Sequence, residues 1–187
     1  MKKLKMNIGC LLLTVGFLWI SLNSYSQETN INRKERKEAR KAELAANFDV
    51  LNTLFETKSF VLEAYDLENQ YGNRIPVSPL INFIKVNSSE GVLQTGFNNR
   101  IGYNGLGGVT AEGTIGTWKI FRNYKNLSYT LQFSLNTNMG SYDVLMTVNA
   151  DNNARAVVSG LRPGRLIYNG HLETIHNSKV YKGQNTI

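Results

Sequence analysis

After Ser59 the apolar residues of this chain fall in short runs, two of which alternate cleanly at every second position, and such runs read as β-strands. Tyr129, Leu131, Phe133 and Leu135 alternate with Thr130, Gln132, Ser134 and Asn136. After the turn-forming Asn138-Met139-Gly140, the residues Tyr142, Val144, Met146 and Val148 keep the same period. Strands joined by so short a turn must be antiparallel neighbours. Upstream, Phe60, Leu62 and Ala64 alternate with Val61 and Glu63. Leu80 to Val86 forms a second run, and Val92 to Phe97 follows the turn Ser89-Glu90-Gly91. Downstream, Asn152-Asn153 links Val148 to Ala154–Val158 as a tight hairpin, because Asn tolerates positive φ. Arg165 to Tyr168 makes a last short strand. No helical pattern separates these runs. Seven or eight strands with one apolar face must curl or fold over to bury it. The expected fold is mainly β (α+β): a curved antiparallel meander, barrel-like or sandwich, with one N-terminal helix packed on it.

That helix is legible from its stripe. Leu44, Phe48, Leu51 and Phe55 are spaced 4, 3 and 4, so they share one helical face. Asn32 with Glu35 reads as a capping box and predicts a start there, with an end near Lys58. Between Arg33 and Glu43 stand six basic and three acidic residues, with like charges at Arg33/Lys37, Arg36/Arg40 and Lys37/Lys41. Each such pair is unfavourable by a few tenths of a kcal/mol. A frayed basic arm leading into a docked helix is expected.

The first 26 residues read as an export signal. Lys2, Lys3 and Lys5 precede the mostly apolar run Ile8–Leu22, and Ser24-Tyr25-Ser26 places small residues at the cleavage positions. Cleavage after Ser26 would make Gln27 the mature terminus. Cys10, the one cysteine of the chain, sits at the start of the apolar run and not after it, so a lipoprotein is not expected and the mature chain is expected to hold no thiol. The predicted organisation is a signal over 1–26, a basic arm and helix start over 27–43, one β-rich domain over 44–172 and a polar tail over 173–187. The formal charge of +7 belongs largely to the signal and the arm, which argues against nucleic acid as a partner and leaves an anionic membrane surface as a partner for the arm.

No reaction chemistry stands out. The Gly-rich stretch Gly102–Gly113 breaks the dinucleotide spacing at Thr110 and has no following Gly-Lys-Ser/Thr, so it reads as a loop or bulged strand where backbones approach. Tyr103, Gly105, Gly107, Gly108 and Trp118 are the candidate ligand-contacting residues. His171 and His176 have neither helical nor strand spacing and lie in a polar tail, so no metal site, catalytic residue or cofactor is expected. Asp151-Asn152-Asn153 lacks the Gly and Glu of a calcium loop. A carboxylate pair for glycoside hydrolysis would come from Glu63, Asp66, Glu90, Glu112 and Asp143, whose spacing does not favour it.

Several segments in order carry a family resemblance. They are the Lys/Arg/Glu-rich helix, Ser59-Phe60-Val61-Leu62-Glu63-Ala64, Ile101-Gly102-Tyr103 to Gly113, Gly140-Ser141-Tyr142-Asp143-Val144, Val148 to Ala156, and Ile167-Tyr168-Asn169-Gly170. Together with the signal they resemble the domain of unknown function 4251 family of Bacteroidetes-type cell-envelope proteins, over roughly Arg33 to Leu172. The resemblance implies an exported β-rich protein of the periplasm or cell surface with no assigned activity. Two functional readings follow. The first is a non-enzymatic binding or structural module holding an apolar or amphipathic ligand or an envelope protein. The alternative is a carboxylate-dependent hydrolase of envelope glycans.

Overall fold

The computed structural model describes the backbone of residues 8–97, 105–160 and 163–186, with side chains from Asn32 onward. The chain divides into two compact units, Met1–Glu43 and Leu44–Ile187. Helix α1 covers Ile8–Glu56. It does not start at Asn32, and this corrects the capping-box reading. The stretch from Phe17 to Ile31 contains neither Gly nor Pro, so nothing immediately before Asn32 stops the helix from continuing toward the N-terminus. Within the first unit, residues 32–43 are exposed. Among the described residues, no helix is long and apolar enough to cross a membrane.

In the second unit α1 ends as expected, two residues before Lys58, which takes a left-handed φ of 50°. The strands are β1 (Ser59–Asn69), β2 (Arg74–Pro76), β3 (Phe83–Asn87), β4 (Glu90–Gln94), β5 (Thr110–Asn123), β6 (Ser128–Thr137), β7 (Gly140–Asn149), β8 (Asn153–Ser159) and β9 (Arg165–Glu173). All pairings are antiparallel, in the order β1-β3-β4-β5-β6-β7-β8-β9, and β9 returns to pair with β1. The result is a closed barrel of eight strands, with the short β2 hydrogen-bonded beside the far half of β1. Asn152 holds its hairpin with φ 67°, as its sequence position predicts.

The expected faces are observed. Tyr129, Leu131, Phe133 and Leu135 of β6 and Val144, Met146 and Val148 of β7 point into one core, while Gln132 is exposed and Thr130 half-buried. Two bulges break the alternation elsewhere. On β1 the register shifts between Ala64 and Asp66, so Phe60, Leu62 and Ala64 face inward before it and Leu67 after it. On β5 it shifts between Ile115 and Trp118.

The stripe of α1 closes one end of the barrel. Phe48, Leu51 and Phe55 are buried and Leu44 packs at their edge. Phe48 stacks on Tyr129 at 4.4 Å, and Phe55 meets Phe60 and Tyr129 edge-on at 5.5 and 5.1 Å. The Tyr129 hydroxyl donates to the Phe48 carbonyl at 3.1 Å, tying the plug to the strand beneath it. Arg122 of β5 reaches α1 from outside, bonding Asn52 and Glu56.

Candidate functional site

A barrel of eight strands encloses just enough room for its own side chains. Here Tyr129, Tyr168, Phe55, Phe60, Leu62, Leu131 and Met146 fill it, each below 2% exposed. The Tyr168 hydroxyl points to the Gln94 carbonyl, and burial pushes its pKa far above the ordinary phenol value. The interior is a packed core.

The sequence-predicted site residues do not converge. Gly105 and Gly107 have left-handed φ of 76° and 79° in the connection between β4 and β5, at the end of the barrel away from α1. A Cβ on Gly108 would lie 2.2 Å from the Thr95 carbonyl oxygen, so this stretch is indeed one where backbones approach. Tyr103 lies outside the described residues. Trp118 belongs to the other end. Its ring sits 6.4 Å from Phe60 and 5.3 Å from Phe133, with the Lys58 ammonium 5.1 Å from its centroid.

Of the five candidate carboxylates only Glu90 and Glu112 share a groove. Glu63 of β1 accepts from the Ser178 hydroxyl at 2.7 Å and lies 3.8 Å from His171 Nε2. Asp66 accepts from the Asn169 amide at 2.6 Å. Glu112 of β5 bonds Lys182 at 2.8 Å, while Glu90 of β4 and Asp143 of β7 are exposed. The Arg155 guanidinium, with Arg74 on the other side, holds the Glu68 carboxyl down at about 2. Glu112, paired with Lys182, borders the same outer-wall groove as Glu90, while Glu63, Asp66 and Asp143 lie outside that groove. His171 belongs to β9, half-buried, whereas His176 is exposed in the turn beyond it. Among the described residues no three His, Cys, Asp or Glu side chains gather as a metal site.

A further surface feature lies on the outer face of β1, β3, β4 and β5. Val61, Phe83 and Val92 turn outward there and form a small second apolar cluster with Ile175 and Val180. Residues 174–186 therefore cross this face as a strap. The Tyr181 N–H donates to the Leu80 carbonyl at 2.7 Å, and the Thr186 N–H to the Thr110 carbonyl at 2.9 Å. Beneath the strap Gln94 and Thr110 are completely buried although they point away from the core. Beside the strap runs a groove of about 230 Å³, lined by Phe83, Lys85, Asn87, Glu90 and Val92 among others. Sequence reasoning missed this face. Its only signals were a Gln closing the apolar run Val92-Leu93 and the alternation of Val180, Tyr181 and Lys182 in a stretch that otherwise reads as polar.

Comparison with known proteins places this geometry. The crystal structure of a DUF4251 family protein from Bacteroides eggerthii DSM 20697, at 1.95 Å resolution, is similar, with 29% sequence identity and a TM-score of 0.61. The match covers 72% of this chain and 91% of that one. No curated protein matches. The family model described as "Domain of unknown function (DUF4251)" matches residues 42–172, which take in the inner end of α1 and the barrel up to the penultimate residue of β9, and leave the strap outside. The chain belongs to the domain of unknown function 4251 family.

Proposed function

We propose that this chain is an exported envelope module, without catalysis of its own, that engages a protein partner on its outer wall and rests its basic arm near anionic lipid. The observation that carries the reading is the contrast between a barrel interior filled by its own side chains and a groove left open on the outer face of β3 to β5. Export rests on the Lys2–Ser26 pattern, with cleavage after Ser26 and a destination in the periplasm or at the cell surface.

Position-specific cross-linking tests the surface reading. A photoreactive residue at Lys85, in the groove, should capture one protein in cells that make this chain. The same residue at exposed Leu145 on β7, across the barrel, should capture none. The captured protein, purified, should bind the chain about tenfold more weakly after Lys85→Glu. Equal capture from both positions would sink the proposal.

The arm makes a separate expectation. Arg33 to Lys41 is exposed and holds six basic residues against two acidic ones. Each basic residue near an anionic surface contributes about 1 kcal/mol, screened by salt. Deleting Gln27 to Lys41 should leave the melting temperature nearly unchanged while removing salt-sensitive binding to anionic vesicles. A deletion that unfolds the barrel would show that the arm is part of the fold.

A further inference from the structure

The strap is held through its backbone as well as through its side chains. Gln94 uses every hydrogen-bonding position of its amide. Its Nε2 donates to the Ile81 carbonyl at 3.1 Å and the Tyr181 carbonyl at 2.8 Å. Its Oε1 accepts from the Thr110 hydroxyl at 2.9 Å and the Gly183 N–H at 2.8 Å. Two of these four partners are the strap's own backbone, at residues n and n+2. In an extended chain the polar groups of n and n+2 point the same way, so a side-chain amide that bonds both stands in for a neighbouring β-strand. The Tyr181 N–H, bonded to the Leu80 carbonyl, lies on that same edge.

The strap's side chains follow the period of a strand. Val180 packs on Val61, Phe83 and Val92. Lys182 meets Glu112 at 2.8 Å. Tyr181, between them, is 64% exposed. Thr110 and Thr186 close the far end, the Thr110 N–H donating to the Thr186 hydroxyl at 3.0 Å and that hydroxyl donating to the Thr110 carbonyl at 2.9 Å. The groove lined by Lys85, Asn87 and Glu90 also borders Val180 and Lys182, so a longer peptide has room that the strap does not use.

We propose that this face is a peptide-binding site, occupied in cis by residues 174–186. Its external ligand is an extended segment of a partner protein, carrying an apolar residue and, two positions later, a Lys or Arg. The proposal rests on the outer-wall reading of function and supplies its ligand class. Tethering explains why the strap wins when no partner is present. A covalently attached segment acts at an effective concentration of the order of millimolar, so a partner must bind better than the strap or use the vacant groove as well.

The test uses the full chain and a fluorescent peptide with the sequence of residues 177–186. In the wild type the peptide should bind poorly, because the site is filled. Val180→Ser with Gly183→Pro removes the apolar contact and the N–H that Gln94 accepts, so the strap should be released and peptide anisotropy should report binding at least about tenfold tighter than in the wild type. Adding Gln94→Leu should remove that binding while the circular dichroism of the barrel is kept. If the double variant does not fold, a protease site inserted after Asn177 in the otherwise native chain serves instead. After cleavage the strap should stay bound and be displaced by excess peptide. Release of the strap without peptide binding, or retention of binding in the Gln94→Leu chain, would overturn the proposal. So would a wild-type dimer that dissociates when the strap is mutated, since the occupant would then be a second copy. Any of these results, with cross-linking still specific to Lys85, would leave the outer-wall reading standing.

Discussion

Phe55→Ala should remove about 3–5 kcal/mol of stability, the largest loss expected from any single truncation in α1. Phe55 has no exposed surface and meets both Phe60 and Tyr129 edge-on. It sits in the last turn of α1, where the helix closes the barrel end, and the rings around it belong to β1 and β6, whose backbones are fixed by ladders on both sides. The cavity therefore has little means of collapse, and the cost should lie toward the upper end of that range. Val50, on the same helix but 57% exposed, should cost less than about 0.5 kcal/mol when truncated. Urea denaturation of both variants, followed by circular dichroism, checks the pair. Similar midpoints would mean that α1 is not a plug.

Gly170→Ala should cost about 3 kcal/mol, at the upper end of what overpacking produces. Gly170 faces Ala64 in the β1–β9 ladder, the pairing that closes the barrel. A Cβ there would fall 2.0 Å from the Glu63 carbonyl oxygen and 2.9 Å from the Ala64 Cα. Both are backbone atoms next to the β1 bulge, so relief requires moving a strand rather than a rotamer. The seam itself should open. Amide exchange of β1 and β9 should accelerate more than that of β6 and β7, and uniform acceleration would contradict the seam as the weak point.

These two residues mark what was legible in the sequence and what was not. Phe55 belongs to a stripe spaced 4, 3 and 4, a local pattern that survives folding because one helix face meets one apolar surface. The β6–β7 alternation was readable for the same reason. Gly170 gives no such signal, because its role depends on a strand far away in the chain. The choice between barrel and sandwich turned on the same long-range pairing, which no local period encodes. Strand β5 was hidden by its own bulge, which inserts residues between inward-facing Ile115 and Trp118 and breaks the period of two. The candidate site was illegible in a different way. Gln94 looks like any polar residue at a strand end, and its meaning appears only when the strap arrives from residues 174–186.

On the proposed reading the barrel is packed by its own side chains and works through its outer wall. Native mass spectrometry of the protein purified from its own cells, under gentle desolvation, tests this most directly. The expected spectrum holds the mass of the polypeptide, alone or with a protein partner, and no stoichiometric small apolar molecule. A lipid or other apolar ligand bound one to one, and retained by the Lys85→Glu chain, would show that the interior opens to hold it and would overturn the outer-wall reading.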